Sequence, residues 1–154
     1  MAIREVDAEG VSTRVGELEW LFATPELPVA DVRATQAYYR DVLGFRIAWV
    51  YEEEYGAVYQ GKTEIFLRRE PGPIERCCVF VRVANADRML AAYREREAKI
   101  VAEIASQPWG MREFSVEEIN GHRFRIGHSH GPVRSSVESR AAGTRGRSDA
   151  EAGG

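Results

Sequence analysis

The sequence predicts an α+β fold built from two copies of one βαβββ unit. A short motif recurs at a shift of 54 residues, since Val29-Ala30-Asp31 corresponds to Val83-Ala84-Asn85. The same shift gives three more identities, which pair Ala37 with Ala91, Tyr39 with Tyr93 and Arg40 with Arg94. The order of one strand, one helix and three strands recurs with these identities. Because neither unit can bury its sheet face alone, we expect the two to pair.

The first unit covers about residues 17–69. An apolar run over residues 18–24, followed by Pro25 and Pro28, predicts its first strand. Asp31 is expected to cap a helix that ends at Gly44. The helix has an apolar stripe at Thr35, Tyr38, Tyr39 and Val42. Alternation and β-propensity then predict three strands, over residues 45–51, 55–60 and 63–68.

The second unit covers about residues 77–128 and repeats this order. Residues 77–83 predict a strand, and Asn85 is expected to cap a helix to about residue 97. One face of that helix carries Ala86, Met89, Leu90 and Tyr93. A strand over residues 100–105 follows, and alternation on both sides of Asn120-Gly121 predicts the two arms of a hairpin.

Trp109 lies between Pro108 and Gly110, which both break regular structure. The indole is therefore expected on a rigid loop between two strands. A large aromatic side chain in such a place can present a flat surface to a ligand, or it can cover its own core. The sequence leaves both interpretations open.

With 154 residues, 44% of them hydrophobic, the chain has material for one compact domain. We place that domain over residues 17–128. Residues 1–16 are polar and aperiodic, and they are interpreted as an N-terminal arm. Residues 129–154 contain few large apolar side chains, so this C-terminal tail is predicted to be disordered.

Charge and cysteine usage restrict the possible partners and compartment. The formal net charge of −3 does not favour a nucleic-acid partner, which would need a basic surplus. Cys77 and Cys78 are adjacent and would point to opposite faces of a strand, so free thiols in a reducing cytosol are expected. No apolar run near the N-terminus suggests a signal peptide or a membrane span. We therefore expect a cytoplasmic protein with no membrane partner.

Several motifs occur in an order that resembles the glyoxalase, bleomycin-resistance and extradiol-dioxygenase (vicinal oxygen chelate) superfamily. They are Leu-Pro-Val-Ala-Asp at 27–31, Tyr-Arg-Asp-Val-Leu-Gly-Phe at 39–45, and Gln-Pro-Trp-Gly at 107–110 with the hairpin that follows. The resemblance covers about residues 20–128, and bleomycin-resistance proteins are the most similar subgroup. It implies a cup-shaped, eight-stranded mixed sheet made of the two units, and a homodimer.

Metal enzymes of this superfamily hold a divalent ion with His and Glu side chains from four strands. Carried over by position, the resemblance assigns these places to Thr24, Phe66, Cys78 and Arg125. Because none is a His or Glu, we expect no metal, no cofactor and no catalytic residue. A shift of register would bring Glu64 or His122 into the set, although His122 alternates with core-type residues. A metal-dependent glyoxalase-like or dioxygenase-like enzyme therefore remains the alternative.

The subgroup implies a binding protein that takes up one drug molecule in each cleft at the dimer interface without reacting with it. Bleomycin-type antibiotics are cationic and end in a flat ring system, so aromatic and acidic groups are expected in the cleft. The candidate ligand-binding residues are Trp49, Glu53, Glu54, Tyr55, Phe66, Trp109 and Arg125. Trp49 could instead belong to the core, and the acidic run could be a solvated turn.

Arg125 would need an acidic partner, either Glu64 or Glu113, or an anionic ligand. With an anionic ligand, the pocket would not favour a cationic drug. The sequence also allows a protein that binds an unidentified metabolite.

Overall fold

Two four-stranded mixed sheets, each with one helix packed on one face, form the domain. This computed structural model describes residues 4–6, 12–14 and 20–131. The strands are β1 (Arg4–Val6), β2 (Ser12–Arg14), β3 (Glu26–Val29), β4 (Arg46–Tyr51), β5 (Tyr55–Gln60), β6 (Thr63–Arg69), β7 (Cys78–Arg82), β8 (Lys99–Ser106), β9 (Met111–Glu117) and β10 (Arg123–Ser129). The helices are α1 (Val32–Tyr38), which continues into a π-helical segment (Tyr39–Leu43), and α2 (Ala86–Glu95).

The two sheets have the same strand order, β3-β6-β5-β4 and β7-β10-β9-β8. In each sheet the first strand of the unit runs parallel to the last, and the other neighbours are antiparallel. This topology confirms the two predicted βαβββ units. Within the predicted N-terminal arm, β1 and β2 form a separate antiparallel pair. The rest of that arm and residues 17–19 lie outside the described residues, as do residues 132–154 of the tail predicted over 129–154. Ser129, the first residue of that predicted tail, belongs to β10.

Both helices begin with the side-chain caps that the repeat predicts. Asp31 Oδ1 accepts a hydrogen bond from the Ala34 backbone N–H at 2.7 Å, and Asn85 Oδ1 accepts one from the Arg88 N–H at 3.0 Å. The two caps occupy equivalent positions of the 54-residue repeat. Neither described helix is long and apolar enough to cross a lipid bilayer.

Replacing either cap with alanine, as Asp31→Ala or Asn85→Ala, should lower the free energy of unfolding by about 1 kcal/mol, because each change removes the acceptor for one N–H of the first turn. Urea denaturation would measure the loss. Asp31→Asn is the matched control, since it keeps an acceptor oxygen and should retain most of the stability. Equal losses for Asp31→Asn and Asp31→Ala would contradict this role for the side chain.

The first helix differs from the regular α-helix that the sequence predicts. After Tyr38 the backbone widens into a π-helical turn, in which the Gly44 N–H donates to the Tyr39 carbonyl. Gly44 has a φ of +79° and ends the turn, as predicted. Because this turn is wider, it brings Leu43 into the core, whereas Val42 remains only partly buried.

The first strand of the domain is not where the apolar run predicts it. The strand is β3, which contains Pro28, while Trp20, Leu21 and Phe22 are strongly exposed. Pro28 is tolerated because β3 is an edge strand that needs fewer backbone donors. In β3, Leu27 and Val29 supply the buried face. This strand is too short to stand out in sequence beside the longer apolar run.

A continuous core joins the two units. The ring of Tyr39 packs against Phe45 of its own unit at 5.6 Å and against Phe124 of the other unit at 5.8 Å, measured between ring centroids. Tyr93 donates its hydroxyl hydrogen bond to the Leu43 carbonyl across the same boundary at 2.9 Å. Burial raises the pKa of Tyr93 to about 12, so its hydroxyl remains a donor at neutral pH.

Candidate functional site

Trp49, Tyr55 and Phe66 lie together on the face of the first sheet that points away from its helix, and we call them the Trp49 cluster. Their ring centroids are 5.2 to 5.7 Å apart. Phe66 points to this face because its strand neighbours Ile65 and Leu67 point into the core. Trp49 is 38% exposed, so it offers an aromatic face to solvent and does not serve as buried core.

Glu26 supplies the acidic group beside this cluster. Its carboxylate accepts a hydrogen bond from the Tyr55 hydroxyl at 2.7 Å and another from Arg68 Nε at 3.1 Å. The hydrogen bond to Glu26 is the main cause that raises the pKa of Tyr55. Glu26 was not among the residues predicted from sequence. The parallel register of β3 and β6, which pairs Glu26 with Phe66, is what places it here.

The predicted acidic residues Glu53 and Glu54 lie in the turn between β4 and β5 and pair with arginines. Glu53 Oε1 is 3.0 Å from Arg33 Nε, and Glu54 Oε1 is 2.5 Å from Arg69 Nη1. Glu53 has a φ of +62°, in a tight turn that directs these side chains to the helix side of the chain. Of these predicted neighbours in sequence, Tyr55 therefore belongs to the Trp49 cluster, whereas the carboxylates of Glu53 and Glu54 form ion pairs outside it.

A second group, which we call the Trp109 cluster, consists of Phe80, Trp109, Glu113 and Arg125 on the second sheet. Glu113 accepts hydrogen bonds from Arg125 Nη2 at 2.5 Å and from Arg125 Nε at 3.1 Å. Its other carboxylate oxygen accepts one from Trp109 Nε1 at 3.1 Å. The Arg125 guanidinium carbon lies 5.2 Å from the Phe80 ring centroid and 5.9 Å from that of Trp109.

Local backbone geometry fixes the position of this cluster. Gly110, at a φ of +82°, donates to the Gln107 carbonyl and closes the loop that carries Trp109. Glu113 lies opposite Gly127 in the β9–β10 register, where a Cβ on Gly127 would stand 2.8 Å from the Glu113 Cβ. Glycine at position 127 therefore leaves room for the Glu113 side chain.

Of the two partners that the sequence left open for Arg125, Glu113 is the one that forms the ion pair. The Glu113 side chain is 8% exposed and that of Arg125 is 38% exposed. This pair is neutral as a whole, yet it keeps one edge of the guanidinium open to a ligand. Trp109 is 46% exposed beside it. Within residues 20–131, no aromatic or cation–π contact links the Trp49 cluster to the Trp109 cluster.

Three of the four residues at the family's metal positions do not fit a metal ion, and the fourth, Cys78, is an exposed free cysteine. Thr24 precedes β3, so Glu26 rather than Thr24 lies opposite Phe66. Phe66 has no donor atom, and Arg125 is a cation held by Glu113. His122 is fully buried, with both ring nitrogens engaged by backbone groups. Among the described residues, no group of three His, Cys, Asp or Glu side chains is placed to hold a metal.

Solved structures with the same fold include binding proteins and an enzyme. A bleomycin resistance determinant encoded on the transposon Tn5 is 18% identical, with a TM-score of 0.64 over 73% of this chain and 100% of that one. The bleomycin-binding protein of Streptomyces verticillus, complexed with copper(II)-bleomycin, is 20% identical, with a TM-score of 0.63 over 73% and 98%. Lactoylglutathione lyase of Agrobacterium tumefaciens is 16% identical, with a TM-score of 0.60 over 70% and 92%.

At these identities the structural similarity establishes the fold and not the ligand. No curated protein sequence matches the chain. The family model described as Glyoxalase/Bleomycin resistance protein/Dioxygenase superfamily matches residues 21–126, which is more than half of the chain. The chain belongs to this superfamily.

Proposed function

We propose that this protein is a metal-free binding protein that captures a bleomycin-like or other aromatic cationic compound without reacting with it. The observation that carries the proposal is the Trp109 cluster, in which an exposed indole is held by a carboxylate at a position open to solvent. Because Glu113 cancels the charge of Arg125 beside the indole, the exposed face of Trp109 can stack on a flat cationic molecule without net repulsion. Phe66 and Arg125, at two of the family's metal positions, cannot ligate a metal ion, and this supports capture without metal-dependent chemistry.

A homodimer would complete the cleft. Each sheet exposes one aromatic cluster on the face that its helix does not cover, and the two clusters of one chain belong to different sheets. A second subunit would place the Trp49 cluster of one chain opposite the Trp109 cluster of its partner. Glu26 and Glu113 would then lie on opposite sides of the cleft, each paired with an arginine of its own subunit. The bleomycin-binding proteins with this fold support the proposal. The free cysteines Cys77 and Cys78 support a cytoplasmic location, which is part of the proposal.

An aromatic anion is the second candidate ligand, and the exposure of Arg125 favours it. The guanidinium is only partly covered by Glu113 and could donate hydrogen bonds to the carboxylate of a metabolite. The two candidates differ in charge, so a comparison of cationic and anionic ligands separates them.

Isothermal titration calorimetry with copper-loaded and metal-free bleomycin tests the proposed function. We expect saturation at one drug per subunit, and Trp109→Ala should weaken the affinity about tenfold or more through the lost stacking and area. Trp20→Ala is the matched control, because Trp20 is 94% exposed and lies outside both clusters. Sedimentation of the same samples would report whether the chain dimerises.

Two outcomes would contradict the proposal. One is the lack of binding heat up to roughly millimolar drug, where a complex would gain only about 4 kcal/mol. The other is equal weakening by Trp20→Ala and Trp109→Ala, which would locate the drug away from the Trp109 cluster.

A further inference from the structure

A cavity of about 470 Å³ lies between the two units, on the helix side of the sheets. Its walls come from the turn that joins β5 to β6 and the end of the π-helical segment in the first unit, and from α2 and the second sheet in the other. Its volume falls within the range of small-molecule sites, roughly 300–1,000 Å³.

This cavity is separate from the Trp109 cluster. Phe124 and Ile126 line the cavity, while Arg125 between them points to the opposite face of the same strand. The second sheet therefore stands between the two places. Neither the candidate residues predicted from sequence nor the proposed function accounts for this cavity.

The cavity has an apolar interior that is held in place. Phe45, Tyr93 and Phe124 line it and are at least nine-tenths buried. The hydrogen bond from the Tyr93 hydroxyl to the Leu43 carbonyl ties its two walls together, since each residue belongs to a different unit. The interior is therefore formed before a ligand enters, which lowers the entropic cost of binding.

The charged groups that line the cavity are all basic. Lys62 and Arg96 contribute to the lining, and Arg82 borders it, although strand alternation turns the Arg82 side chain to the face that carries Phe80. None of the described lining residues is an aspartate or glutamate, although the chain as a whole is acidic. In the described part of the chain, none of the three forms an ion pair or a side-chain hydrogen bond. The Arg96 guanidinium lies against Gly44, where a Cβ would stand only 2.6 Å from Nη1. Glycine at this position thus allows Arg96 to reach the first unit.

We propose that this cavity is a second binding site, which takes an organic anion with one carboxylate and an apolar body. The aliphatic or aromatic body would occupy the apolar interior, and the carboxylate would meet Lys62 and Arg96, whose charges have no acidic partner among residues 20–131. At roughly 30 Å³ per non-hydrogen atom, the volume accommodates a body of about 15 such atoms. A medium-chain fatty acid or an aryl-alkanoic acid has this size and charge.

Calorimetric titration of the full chain with decanoate tests this site. The comparison ligand is 1-decanol, a neutral analogue of equal length. We expect decanoate to bind at one per chain, about tenfold more tightly than decanol. The double variant Lys62→Gln/Arg96→Gln should lose about tenfold in decanoate affinity. Arg88→Gln is the matched control, because Arg88 is exposed on α2 and does not line the cavity.

Two further variants locate the ligand. Ala92→Leu should weaken decanoate binding, because the larger side chain fills part of the cavity. Trp109→Ala should leave decanoate binding unchanged. The two variants therefore test the cavity and the Trp109 cluster separately. Equal affinity for decanoate and decanol, or an unchanged affinity in the double variant, would overturn the proposal. A loss in Trp109→Ala would also overturn it, because the anion would then occupy the Trp109 cluster.

Discussion

Replacing His122 with alanine is expected to lower the free energy of unfolding by about 3 kcal/mol, because the change removes two buried hydrogen bonds and leaves a cavity. The side chain is fully buried. Its Nδ1 accepts from the Cys77 backbone N–H at 3.0 Å, and its Nε2 lies 2.6 Å from the Pro28 carbonyl. These partners require a neutral ring with the proton on Nε2. Loss of the ring would leave both backbone groups unsatisfied.

The position of His122 in the topology adds to this expectation. Pro28 belongs to β3 of the first unit, and Cys77 directly precedes β7 of the second. One imidazole therefore ties the edge strands of the two sheets to each other. We expect the alanine variant to weaken the pairing of the units as well as the local packing.

Urea denaturation monitored by tryptophan fluorescence measures the effect of His122→Ala. His128→Ala is the matched control, since His128 is only partly buried and makes one hydrogen bond, as acceptor from the Ala86 N–H at 2.9 Å. That control should cost about 1 kcal/mol. If His122→Ala lowered the free energy of unfolding by less than about 1 kcal/mol, the hydrogen bonds of the ring to Cys77 and Pro28 would not stabilise the fold as expected.

Local patterns in the sequence were enough to predict the two units. Each cap, at Asp31 and Asn85, uses groups within three residues, and strand alternation depends only on neighbours. Such signals do not need the tertiary structure. In the structure Phe66 points to the opposite face from Ile65 and Leu67, as alternation along a strand requires.

The ion pairs were not predictable in the same way, because they depend on which strands lie side by side. Glu53 pairs with Arg33 from 20 residues away, so an acidic run that suggested a ligand site forms salt bridges with arginines. Glu26 was missed because the apolar run that precedes β3 gives a stronger strand signal than β3 itself. Alternation along β10 places Arg125 on the face opposite to that of Phe124 and Ile126. Only the pairing register of β9 with β10 shows that Glu113 lies diagonally across from Arg125 on the neighbouring strand.

Replacing Glu113 with glutamine is expected to weaken binding of an aromatic cation about 30-fold, or about 2 kcal/mol. The change preserves the shape of the side chain but leaves the Arg125 charge without its partner, so the Trp109 cluster becomes positive. The amide has one acceptor oxygen, whereas the carboxylate serves Arg125 through one oxygen and Trp109 through the other. Trp109 would therefore also lose its fixed orientation.

A comparison of the single variant Glu113→Gln with the double variant Glu113→Gln/Arg125→Gln separates the effect of charge from that of packing in this cluster. The free energy of unfolding should fall in Glu113→Gln and recover in part in Glu113→Gln/Arg125→Gln, where no unpaired charge remains. Binding of a cationic drug should follow the same order, while an aromatic carboxylate should bind Glu113→Gln more tightly than the parent chain. If Glu113→Gln left cation binding unchanged, the carboxylate would not be part of the ligand site. If only the aromatic carboxylate bound, in the parent chain as well as in the variant, Arg125 would be the group that selects the ligand, and the protein would bind an anionic metabolite.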